Sequence, residues 1–174
     1  MTRAISLNAR RSLDAAATED FFVVLLEITH PNLAAPLRLS TDPTERISIE
    51  PLVYGTRSGW RGADPVADHW QFVAAALELP SDQEDVPAAV RITLDLFDAT
   101  LPALLRSFET RATANIALVM ASDPDTPEQQ FLGLEVTGGT YGAQVAISAS
   151  RKPIEEEGAP MDIIGKQRFP GLFR

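Results

Sequence analysis

The sequence predicts a mainly β fold of α+β composition. It should be an antiparallel β-barrel, split barrel or sandwich, with an amino-terminal helix, one short mid-chain helix and an extended carboxy-terminal tail. Three observations point there. Residues 21–28, Phe-Phe-Val-Val-Leu-Leu-Glu-Ile, form a near-continuous apolar run of strand length, rich in aromatic and β-branched side chains. Residues 90–96 alternate strictly, with Val90, Ile92, Leu94 and Leu96 on one face and Arg91, Thr93 and Asp95 on the other. Several shorter alternating runs follow one another between Pro, Gly, Asn and Asp turn signals.

The elements follow in order. Residues 4–17 read as a helix whose stripe is Ile5, Ala9, Leu13 and Ala16 or Ala17. The stripe is thin and alanine-rich, so the helix should lie on the sheet or against a partner. The run 21–28 is apolar on both faces and so predicts a central strand. His30-Pro31-Asn32 ends it as a turn. Residues 37–40 should pair back as a hairpin arm, and 47–50 alternate again after Asp42-Pro43. Residues 54–68, rich in Gly, Asp and Arg, read as a long loop. Residues 70–79 read as one strand, because Pro80 and the acidic turn after it stop the run too early for a helix. Residues 100–109 predict a helix, capped by Thr100, with Pro102 in its first turn and Leu101, Leu104, Leu105 and Phe108 as its stripe. Strands are expected over 112–120 and 131–136, flanking a loop at 123–127. A turn at Gly138-Gly139 and a last strand over 141–150 should follow.

The length of 174 residues suits one domain. It divides into a helical arm at 1–20, a β-rich core at 21–150, and a linker with a docking tail at 151–174. Segment 161–174 holds Phe169, Leu172 and Phe173 around a Pro170-Gly171 turn. Large apolar side chains left in water forgo about 1.5–3 kcal/mol each, so this segment is expected to dock.

Composition narrows the function classes. The formal charge of −9 disfavours binding to nucleic acid or to anionic lipid. No cysteine is present, which removes thiol catalysis, disulfides and Cys-ligated zinc. No apolar run reaches the roughly 18–20 residues of a membrane span, and Arg10 and Arg11 interrupt any secretory pattern. The expectation is a soluble chain made in the cytoplasm.

Candidate catalytic groups are sparse. His69 lies near Asp64 and Asp68, without the ligand-spaced histidines that zinc prefers. The acids sit mostly in loops, and neither a serine-nucleophile motif nor a phosphate loop occurs. The expectation is no enzyme, no cofactor and no metal. Tyr54, Arg57, Trp60 and Arg61 could stack on a ligand or peptide, anchor their own loop, or sit at a subunit contact, where Tyr, Trp and Arg are enriched. The subunit-interface candidates are Ile5, Leu13, Tyr54, Trp60, Arg61, Phe169, Pro170, Leu172 and Phe173.

The order of features resembles a family. A helix precedes a strand ending Leu26-Glu-Ile-Thr-His-Pro31. The Asp42-Pro43 turn and the Tyr54 loop follow, then Ile92-Thr-Leu-Asp-Leu-Phe-Asp98 leading into a short helix, and finally Phe169-Pro-Gly-Leu172. This resembles a family of uncharacterised proteins encoded in tail modules of long-tailed bacteriophages and prophages. The resemblance implies a tail-tip protein, similar to distal tail or baseplate hub components and to minor tail proteins. It further implies a barrel or split-barrel hub assembled as a homo-oligomeric ring, three- or six-fold, in the virion tail. Its partners would be tail-tube, tape-measure and tail-tip proteins, with no sequence-specific nucleic acid and no membrane insertion. The alternative is a host-surface module that binds carbohydrate or peptide through the 54–61 loop, and a third reading is a metal-assisted hydrolase using His69.

Overall fold

The run at 21–28 becomes the strand on which everything else is hung. The computed structural model describes residues 6–78, 89–95, 107–108, 110–141 and 144–150. Helix α1 (Leu7–Asp14) is followed by β1 (Phe22–Thr29), β2 (Leu37–Ser40), β3 (Glu45–Ile49), β4 (Leu52–Thr56) and a 3-10 turn at Trp60–Gly62. Then come β5 (Trp70–Phe72), β6 (Ala74–Glu78), β7 (Ala89–Asp95), β8 (Thr113–Met120), β9 (Asp123–Tyr141) and β10 (Gln144–Ser150). The strands form one mainly antiparallel sheet of ten, in the order β3-β4-β5-β2-β1-β8-β9-β10-β7-β6. The mainly β class expected from the sequence is the class observed.

The sheet curls back on itself. Strands β5 and β6 are parts of one segment broken only at Val73, whose N–H donates to the Ser40 carbonyl. β5 runs parallel to β2, with Leu39 opposite Gln71, and β6 pairs antiparallel with β7, with Leu77 opposite Ile92. Segment 70–78 therefore hands the chain from β2 to β7 and closes a barrel of β1, β2, β5/β6, β7, β10, β9 and β8. The β3–β4 hairpin lies outside that closure, and β3 is the edge strand.

Two cores result. Leu26, Ile28, Leu39, Val73, Ile92, Leu94, Ile116, Phe131, Leu134, Val145 and Ile147 fill the barrel interior. Residues of opposite parity on β1 and β8, namely Val23, Leu25, Ala117 and Val119, pack outward against Trp60, Ala63 and Trp70. Strand β1 is thus covered on both faces, which is why its sequence is apolar throughout. Each large side chain fully buried here stabilises by about 1.5–3 kcal/mol.

Several boundaries depart from expectation for physical reasons. The helix spans Leu7–Asp14, not 4–17: Ala15 is already extended at φ −72° and ψ 139°. Among the described residues of its stripe only Ala9 is buried, too little tertiary support to hold three more alanines helical. The loop expected from residue 54 begins after Thr56, since Tyr54 and Gly55 continue β4. Gly55 is required there, because a Cβ would clash with the Trp70 carbonyl oxygen. The single strand expected over 70–79 is broken at Val73 by its change of neighbours.

The largest correction is β9. The loop expected at 123–127 and the turn at Gly138-Gly139 are both strand, within one element of nineteen residues. Its first half pairs with β8 and its second half with β10, overlapping only near Glu135. Pro124 and Pro127 therefore sit where one side of β9 carries no partner strand among the described residues, the position in which a missing N–H is tolerated. Register irregularities at Val119 accommodate them. Gly138 and Gly139 pair with Ser148 and Ile147, beside a further register shift. The helix expected over 100–109 lies outside the described residues except for Ser107 and Phe108, and Phe108 packs against the interior core. Segment 151–174, Ile5 included with residues 1–5, also lies outside the described residues.

Candidate functional site

The outer face of β1 carries the densest polar cluster of the described residues, and it begins with one anomaly in the sequence. Glu27 interrupts the apolar run, and the strand period places it beside Val23 and Leu25 under the 57–69 loop. It is 3% exposed. A buried carboxylate is costly unless charge and hydrogen bonds surround it. Here Glu27 Oε1 accepts from Arg61 Nε at 3.2 Å and from Asn115 Nδ2 at 3.1 Å. Its Oε2 lies 3.6 Å from Arg38 Nε, an ion pair too long for a hydrogen bond, so that buried Nε has no hydrogen-bond partner among the described residues.

The cluster reaches further through each of its members. Arg38 Nη1 lies 3.5 Å from Asp68 Oδ2, and its guanidinium stands 5.9 Å from the Trp70 ring centroid, in cation–π range. Asn115 Oδ1 accepts from the Gly133 N–H at 2.9 Å, and Gly133 has φ +67°, a conformation suited to glycine. Glu27 on β1 thereby joins β2, β8, a kink in β9 and the loop carrying Arg61. Arg61 is held at φ +60°, an uncommon conformation for a residue with a Cβ. Its side chain spans from that strained position to the barrel.

The loop has a second set of anchors. Trp60 packs against Trp70 with ring centroids 5.3 Å apart. Trp70 Nε1 donates to the Ser58 carbonyl at 3.1 Å, and buried Ser58 Oγ donates to the Pro124 carbonyl at 2.7 Å. Gly59 N–H donates to Asp125 Oδ1 at 2.6 Å. Chemically, this arrangement holds Glu27 Oε1 with cationic and amide donors, sets Oε2 against the Arg38 charge and covers both indoles. Its work is to clamp a loop to a barrel.

The interface candidates fall in different places. Trp60 is 7% exposed and satisfied within its own chain, so it presents little face to a ligand or subunit. Arg61 is half-exposed, tied through Nε to Glu27. Tyr54 is exposed on β4, and Leu13 is exposed on α1. Ile5, Phe169, Pro170, Leu172 and Phe173 lie outside the described residues. The structure does not bring Tyr54 and Trp60 into one binding face: one is exposed on β4 and the other is a buried anchor of the loop.

Sequence reasoning missed two features. One is the Glu27–Arg38–Asn115 network, whose available signal was a lone acid inside the most apolar run. The other is the tip of the β3–β4 hairpin, where cross-strand partners Ile49 and Leu52 are 73% and 61% exposed. There the period-2 pattern was legible, but not which face would lack cover. His30, expected in a turn, is also a buried anchor. Its ring stacks on Phe108 with centroids 4.2 Å apart, Nδ1 accepts from Asn32 N–H and Nε2 bonds Thr110 Oγ1.

Among the described residues, His69, Asp64 and Asp68 do not form a metal-ligating group, and no such group of His, Asp or Glu occurs elsewhere. An apolar slot opens between β1, β2, β6 and β7, lined by Val24, Leu39, Val73, Ala75, Leu77 and Leu94 among others. No helix among the described residues is long and apolar enough to cross a membrane. No protein-family model matches the chain, and no curated protein matches it.

Proposed function

We propose that this protein is a structural, non-enzymatic component of the tail tip of a bacteriophage or phage-like particle. In this reading it forms a ring that joins the tail tube to hub and host-recognition proteins. The observation that supports it best is the apolar surface carried by elements standing outside the barrel. Ile49 and Leu52 are exposed at the hairpin tip, and Leu7 and Leu13 are exposed on α1. A protein that acts alone gains nothing from such arms, whereas a ring subunit buries them on its neighbours. The resemblance of its order of sequence features to tail-module proteins agrees with this reading.

Ring closure makes many modest contacts collectively stable. The net charge of −9 would ease DNA passage if acids line the lumen. The test is co-expression with tail-tube and tape-measure proteins of the same source, followed by electron microscopy. The expected result is density for this chain as a ring at one end of each tube. A chain that stays free of tubes under those conditions overturns the assignment.

A further inference from the structure

The barrel rim at the start of β1 joins exposed aromatic surface to a group of acids. Phe21 and Phe22 are 42% and 41% exposed. Phe22 stands opposite Met120, and the Phe21 carbonyl accepts from Ala121 N–H, so both belong to the rim formed by the β8–β9 turn. Asp20 accepts from Ser122 through both N–H and Oγ at the same place. The hydrogen bond between Ser12 and Thr18, and that from Asp20 N–H to Thr18, tie the end of α1 to the stretch leading into β1, in which Asp14 and Glu19 are exposed. Asp14, Glu19, Asp20 and Asp123 have no cationic partner among the described residues. Arg10 and Arg11 on α1 are the bases nearest in the chain.

The chain itself contains a segment of opposite character. Residues 161–174 carry Lys166, Arg168 and Arg174 against a single acid, Asp162, so their side chains sum to +2 in a chain of −9. The same segment holds Phe169, Leu172 and Phe173. Aromatic and basic groups together match an aromatic and acidic rim in both terms: apolar burial supplies affinity, and charge supplies register and selectivity.

We infer that segment 161–174 of one copy docks on the Phe21–Phe22 rim of a second copy. This rests on the tail-tip reading only in taking the occupant from a neighbouring subunit. Tail to rim is a heterologous contact, which repeats head to tail and closes by rotation.

Charge reversal in the full chain tests it, because Asp14 and Glu19 are exposed and residues 166–174 follow the last barrel strand in sequence. One variant carries Lys166→Glu, Arg168→Glu and Arg174→Glu. The other carries Asp14→Lys and Glu19→Lys. Thermal denaturation should show both folded like the parent. By mass photometry the parent should form oligomers that dissociate with added salt. Each variant alone should associate roughly tenfold or more weakly. Mixed in equal amounts they should assemble again, since the basic segment of the second meets the acidic rim of the first, and the reverse. Docking within one chain predicts a parent that stays monomeric, and that outcome overturns the inference. So do variants that assemble as the parent does, or a mixture of the two that stays dissociated. A restored oligomer that ignores tail tubes supports the docking while removing the tail-tip assignment.

Discussion

The β3–β4 hairpin and the 57–69 loop are consecutive in the chain, yet they are held by different means. The loop places Trp60 and Ala63 in an outer core, sends Arg61 to a buried carboxylate and ties Ser58 and Gly59 to β9. The hairpin keeps only its base against the barrel, where Gly55 and Thr56 pair with Gln71 and Trp70 and Thr56 Oγ1 bonds Ser40 Oγ at 2.6 Å. Its tip is apolar and uncovered. The lesson is that local hydrophobicity does not separate anchoring from projection. What separates them is whether the far end of each side chain meets a partner of its own chain.

Four variants would break or sharpen this contrast. The largest effect is expected from Trp70→Ala, which empties the outer core and frees the Ser58 carbonyl. It should cost about 3–5 kcal/mol, read as a lowered urea midpoint. A loss below about 1 kcal/mol would mean that the loop clamp is dispensable. Next comes Glu27→Ala, which leaves buried Arg38 with only the more exposed Asp68 as a counter-charge. The expected loss is about 3 kcal/mol, since breaking a buried pair from one side is costly. The single change Arg61→Ala should cost distinctly less, because that side chain is 43% exposed. Equal losses would show that Arg38 does not depend on Glu27. The smallest effect on stability is expected from Ile49→Ser with Leu52→Ser, within about 0.5 kcal/mol. The same pair should impair self-association, and hydrogen exchange should find β3 amides opening long before those of β1. A large drop in melting temperature would instead make the hairpin part of the fold.

These contrasts mark what a sequence can disclose. The interior of the barrel was legible because its strands obey a period of two: Val90, Ile92 and Leu94 are buried as their alternation requires. The covering of β1 on both faces was legible from its unbroken apolar run. Strand β9 was not, because Pro124, Pro127 and Gly138-Gly139 are turn signals unless a residue knows which of its sides is unpaired. That information belongs to the neighbours β8 and β10. The Glu27 network was illegible for a similar reason. Its partners Arg38, Arg61 and Asn115 are spread across three elements and meet only after the sheet has curled.

Val73 has a consequence for how this chain can change length. One residue stands between a segment registered to β2 and a segment registered to β7. Adding or removing a residue there would turn Ala75 and Leu77 outward or swing Trp70 inward, and neither fault could be absorbed locally. The hairpin two strands earlier is under no such constraint, because its tip answers to no second neighbour. Homologous chains should therefore vary freely in hairpin length while keeping the count from Trp70 to Glu78 fixed.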